Sequence, residues 1–156
     1  MIVHKVAVAY IFFDKEVLTV KSTKDDSIDA IGVRIDDDKD PKLGLTEKLQ
    51  MITGQDYSNS LKASGYIKEL IHKKNEDVEL LVKVFSFRLD KKPSIDKEQY
   101  AWQDVYRLKE DLYAKRIWRN VIAFYEAEGH IAVSSEENQY GSWLEAELLS
   151  WTIDKT

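Results

Sequence analysis

Eight consecutive apolar residues, Val6 to Phe13, are the strongest constraint on how this chain folds. The run mixes Val, Ala, Tyr, Ile and Phe, a composition that suits a strand. It falls well short of the roughly 20 residues that cross a bilayer as a helix. It also lacks the basic start and the small-residue cleavage site of a signal peptide. It shows no alternation, so Lys5 to Phe13 reads as a strand buried on both faces, which needs a covering layer on each side. Asp14-Lys15 is a polar turn, and Glu16 to Ser22 reads as the second strand of a hairpin. Thr23 to Ser27 is a polar loop. Ile28 to Ile35 is a third extended segment, broken by Gly32.

The next element carries its own boundaries. Asp40 suits an N-cap and Pro41 the first helical position. Leu45, Leu49 and Ile52 recur at i, i+4 and i+7, so residues 41 to 53 read as an amphipathic helix. Gly54 is a natural stop. Tyr66 to Lys73 and Val78 to Leu89 read as strands joined by a polar turn. Tyr100 to Leu108 reads as another, after a loop containing Pro93. Asp111 to Glu128 carries a wide apolar stripe that includes Ile117, Trp118, Val121, Phe124 and Tyr125, and reads as a long helix against a sheet. Ser142 with Glu145 suggests a capping box for a last helix bearing Tyr140, Trp143, Leu144, Leu148 and Trp151. The order is β-β-β-α-β-β-β-α-α, an α+β chain with a mixed sheet between helices.

Composition narrows the function classes. The 156 residues read as one domain. With 28 acids against 23 bases the net charge is -5, which argues against general nucleic-acid binding. The absence of Cys excludes disulfides and thiolate chemistry. With no membrane-spanning segment in view, a soluble cytoplasmic protein is expected.

Gly32 to Gly54, a strand, an acidic loop, Asp-Pro, a helix and Thr-Gly, resembles the Nudix box of the MutT-like hydrolases. Gly32 falls on the first of the family's paired glycines and Val33 on the second. Asp40-Pro41 sits where the family's helix begins, Leu49 fills its hydrophobic position, and Thr53-Gly54 its end. Glu98-Gln-Tyr-Ala-Trp102 is similar to the acidic strand before the family's C-terminal helix. The resemblance covers residues 3 to 128 and implies a Nudix-like α/β/α sandwich with a mixed sheet, to which residues 138 to 153 add an extra helix. In the family, three glutamates at i, i+3 and i+4 on the box helix hold Mg²⁺ or Mn²⁺ against a diphosphate. Here those positions are Lys48, Met51 and Ile52. The family's loop glutamate falls on Lys39 and its arginine on Glu47. A lysine and two apolar side chains do not coordinate Mg²⁺, so no catalytic or metal-binding residue is assigned and no cofactor is expected.

The resemblance then implies a Nudix-like protein without the usual pyrophosphohydrolase chemistry, serving as a module for a nucleotide-like ligand or a protein partner. The alternative is a divergent hydrolase of a nucleoside diphosphate derivative. It needs Mg²⁺ or Mn²⁺ held by Asp36, Asp38, Asp40 or Glu98. An unrelated α+β binding domain is the third reading. Trp102, Tyr106 and Trp118 are the candidates for stacking on a base. Glu69, Glu76, Glu79 and Glu98 are candidates for a general base, but read as exposed acids. His4, His72 and His130 are scattered, without metal-ligand spacing. Met51 and Ile52 are candidates to fill the old metal site with apolar side chains. The last helix packs on the sheet or forms a homodimer or partner contact.

Overall fold

The structure is a computed structural model that describes residues 2–21, 27–35, 40–72, 75–111, 114, 117–128, 130 and 132–139. Strand β1 spans Ile2–Phe13 and is followed by β2, Glu16–Lys21, and β3, Ile28–Arg34. Helix α1 spans Pro41–Thr53. Strands β4, Lys62–His72, β5, Val78–Leu89, and β6, Tyr100–Asp104, come next. A 3-10 turn at Leu108–Glu110 leads to helix α2, Trp118–Glu126, and then to β7, Ala132–Gln139.

All seven strands join one sheet in the order β6-β2-β3-β1-β5-β4-β7. The β1–β5 and β4–β7 pairs are parallel, and the others are antiparallel. β1 is central, and both of its faces are covered, as its sequence demands. Ala7, Ala9 and Ile11 point to one side, where they meet Leu45 and Leu49 of α1. Val6, Tyr10 and Phe12 point to the other, where they meet Val121 and Phe124 of α2. The result is a helix–sheet–helix sandwich with a mixed sheet, as expected.

Several boundaries differ from the sequence reading: β1, expected from Lys5, begins at Ile2, and β4, expected from Tyr66, begins at Lys62. Tyr100 was expected to start a strand reaching Leu108, but β6 ends at Asp104. The Asp104 carboxylate accepts from the backbone N–H of Tyr106 at 2.9 Å and of Arg107 at 3.2 Å, a local turn that draws the chain out of the sheet. The helix expected over Asp111 to Glu128 is α-helical only from Trp118; before it the Ala114 N–H donates to Asp111 O and the Ile117 N–H to Ala114 O, three-residue spacings of 3-10 rather than α geometry. The extension expected as a helix from residue 138 opens as strand instead: Asn138 and Gln139 end β7, which lies parallel to β4. Ser134, Ser135, Glu136, Glu137 and Asn138 give no apolar alternation, so this edge strand is held by main-chain pairing that sequence patterning does not report. Tyr140, Trp143, Leu144, Leu148 and Trp151 lie outside the described residues.

The side chains of Leu45 and Leu49 are fully buried and tie α1 to the sheet, whereas Met51 on the same helix is 88% exposed. Leu45→Ala or Leu49→Ala should each cost about 2–5 kcal/mol in urea unfolding. Met51→Ala should stay within about 0.5 kcal/mol of the wild type. Equal costs for the two helix faces would contradict this packing.

Candidate functional site

The box segment is built as its sequence requires. Asp40 caps α1, its carboxylate accepting from the Lys42 N–H at 3.0 Å, and Pro41 occupies the first turn. Gly54 closes the helix with φ 74°, a left-handed backbone that favours glycine, and its N–H donates to Gln50 O at 2.8 Å. Gly44 packs against Val33 of β3. At Gly32 an added Cβ would stand 3.1 Å from Ala7 O and 3.2 Å from Val8, so glycine permits the close approach of β3 to β1.

The half-buried Lys48 extends from α1 and donates from Nζ to the Gly32 carbonyl at 2.5 Å. The helix and the glycine strand of the box are thus joined by an ammonium group. Ile52 is half-buried against the α1-side core, so it does fill space under the helix. Met51 does not, since it points to solvent. Glu47 is exposed, Leu49 is buried, and Lys39 lies outside the described residues.

Of the carboxylates considered as metal ligands, the two among the described residues, Asp40 and Glu98, are not brought together. Asp36 and Asp38 lie outside the described residues. Asp40 is engaged as the helix cap. Glu98 is exposed in the turn beside Lys21, whose N–H donates to Gln99 O, and Lys21 pairs with Ile28 at the start of β3. The start of α1 lies instead by Val33, toward the other end of that strand. Among the described residues, no group of three His, Asp or Glu is placed to hold a metal ion.

The three aromatics proposed for base stacking are not brought together. Trp102 is half-buried on the α1 side, with Phe13 edge-on at 6.3 Å and Lys92 5.7 Å from its ring. Tyr106 and Trp118 belong to the α2 side. Trp118 packs on the core there, with Arg119 4.9 Å from its ring. Tyr106 is 41% exposed and stands edge-on to Tyr125 at 5.8 Å. Its pKa lies above the ordinary tyrosine value, through desolvation first and then the Glu126 carboxylate.

Two polar groups escaped the sequence reading. Glu69, expected to be exposed, is only 2% exposed, because it shares the inward face of β4 with Ile67 and Ile71. The alternation of that strand already placed it there, and its charge argued the other way. Asn120 of α2 is 4% exposed, a buried polar side chain within an apolar stripe. Of the remaining acids, Glu79 pairs with Lys68 at 3.4 Å and Glu76 is exposed. Of the histidines, His72 meets Asp77 at 3.2 Å, His4 is half-buried and His130 is exposed.

Comparison with solved structures settles the architecture. The MutT protein of Bacillus halodurans superposes with a TM-score of 0.61 at 12% identity, over 86% of this chain and 89% of that one. The C-terminal domain of mouse MUTYH, solved in complex with human PCNA, gives 0.62 at 16% identity over 79% and 87%. An ADP-ribose pyrophosphatase from Streptococcus suis gives 0.52 at 18% over 85% and 98%. The fold is Nudix-like. No protein-family model and no curated protein sequence matches the chain, so the likeness lies in the Nudix-like fold.

The loop that follows the Nudix-like box helix supplies a pH test. Partial burial raises the pKa of Tyr57 above its ordinary value of 10.0, against an opposing hydrogen bond from Thr53. The folded state therefore holds this proton more tightly than the unfolded state does. Its contribution to stability is complete below the unfolded pKa and is lost as pH rises through the folded one. Urea unfolding across the alkaline range should show a smaller loss of stability in Tyr57→Phe than in the wild type. Identical slopes would contradict the assignment.

Proposed function

We propose that this Nudix-like chain is a binding domain, for a nucleotide-like small molecule or a protein partner, that has given up metal-dependent hydrolysis at its box. One observation carries the reading: the Lys48 ammonium bridges α1 to the Gly32 carbonyl, where the family resemblance puts carboxylates around a divalent cation. An ammonium group repels Mg²⁺ at short range, and neither Ile52 nor Met51 supplies an oxygen ligand. The structural neighbours allow both kinds of use. Two of them are named as an Ap4A hydrolase of C. elegans and an ADP-ribose pyrophosphatase, and a third, the MUTYH domain, was solved in a protein complex. Among the described residues no helix is long and apolar enough to cross a membrane, and the reading places the domain in the cytoplasm.

A screen of nucleoside triphosphates, sugar nucleotides and dinucleotides, with and without Mg²⁺ or Mn²⁺, tests this reading, with thermal shift read on the same samples. The expected result is no metal-dependent turnover. A ligand-induced shift would then identify a small-molecule role, and its absence would direct the search to protein partners. Metal-dependent turnover by clean protein would overturn the reading in favour of a divergent hydrolase. In that case Asp38→Ala and Glu98→Ala are the first variants to assay.

Lys48 also ties the box together mechanically. Lys48→Met removes a charged donor from the Gly32 carbonyl while keeping most of the apolar stem. It should cost about 1–3 kcal/mol in urea unfolding. No loss would mean that the bond is not a fixed part of the folded state.

A further inference from the structure

On the α2 side of the sheet, away from the box helix, lies an open cavity of about 450 Å³. Its floor is Phe12, Phe124, Ser64 and Ser86, and its rim includes Lys62, Arg88 and Glu128. A volume of this size suits a small organic ligand. Three features show that the cavity is built rather than left over from packing.

First, β4 shifts register between Ala63 and Gly65, so Ser64 is the extra residue of a β-bulge. Bulges re-aim side chains beside binding sites. Here the bulge turns Ser64, 3% exposed, toward Ser86, 8% exposed, and their hydroxyls are hydrogen-bonded. Second, the protons in this pair are assigned. Ser64 donates to Lys62 O at 3.0 Å, so Ser86 donates to Ser64, and the Ser86 oxygen presents acceptor lone pairs.

Third, Arg88 is held in place. Its Nη2 donates to Tyr125 O at 2.9 Å, and its guanidinium lies 4.5 Å from the Tyr125 ring and 5.6 Å from the Phe12 ring. A guanidinium has five N–H donors, and this bond uses one. Among the described residues, no carboxylate lies within ion-pair distance of Arg88 or Lys62.

We propose that this cavity binds a small amphipathic anion. One carboxylate or phosphate group lies between Arg88 and Lys62, and an apolar group occupies the open volume above Phe12 and Phe124, whose side chains are each only 2% exposed and form the closed end of the cavity. A pre-positioned guanidinium fork matches both anions. Glu128 and the Ser86 oxygen add acceptors, which suit a hydroxyl or amine on the same ligand. The site is independent of the proposed loss of metal chemistry at α1.

The test is titration of the ¹⁵N-labelled full chain with phenyl phosphate, phenylacetate, inorganic phosphate and benzylamine, followed through the backbone amides. Saturable shifts at Ser64, Ser86, Arg88 and Phe124 with phenyl phosphate or phenylacetate are expected, and the stronger of the two identifies the anion class. Inorganic phosphate should bind more weakly and benzylamine should leave these amides unmoved. Arg88→Gln and Lys62→Gln should each weaken binding about tenfold or more, with the amide spectrum otherwise retained. Lys62→Gln guards against loss of the Arg88 stacking. No saturable shift with either aromatic anion, equal binding by both variants, or preference for benzylamine would overturn the proposal.

Discussion

Twelve residues of β1 lie in parallel register against twelve of β5, from Ile2 beside Val78 to Phe13 beside Leu89. This pairing is what the rest of the structure hangs on. A parallel pair in one sheet requires a crossover, and here the crossover contains β2, β3, α1 and β4. The central strand β1 is apolar on both faces from Val6 to Phe13, so the fold is complete only when α1 covers one face and α2 the other. Small residues at Ala7 and Ala9 let α1 approach the sheet closely, and Gly32 does the same for β3 beside β1.

That arrangement fixes the environment of Lys48. Leu45 and Leu49 anchor α1 by its inner face, which sets the rotation of the helix. Lys48 then leaves the helix beside β3 and reaches the Gly32 carbonyl, while Glu47 and Met51 turn outward. The Nudix resemblance puts carboxylates on this helix, whereas here an ammonium meets a carbonyl, and fold likeness by itself does not assign an activity.

Much of this was legible in the sequence. Asp40-Pro41 and Gly54 bracket α1 at its observed ends, because capping is local chemistry. The unbroken run to Phe13 identifies the central strand, because burial on both faces removes alternation. What stayed hidden depends on partners distant in the chain. β7 is a polar edge strand defined by its pairing with β4. Glu69 is carried inward by its neighbours Ile67 and Ile71 despite its charge. The cavity beneath the end of α2 gathers Phe12, Ser64, Ser86 and Phe124 from four separate elements, and no spacing announces such a set. The aromatics Trp102, Tyr106 and Trp118 were chosen by type, but the sheet separates the first from the other two.

The proposed function rests on a fixed ammonium group standing where the family resemblance would place a divalent cation. The most direct measurement is a crystal structure of the full chain soaked in Mn²⁺, with anomalous scattering recorded at a wavelength that shows the metal. The account predicts the Lys48 Nζ on the Gly32 carbonyl and no Mn²⁺ peak between α1 and β3. A Mn²⁺ ion bound there through oxygen ligands, with Lys48 displaced, would contradict it.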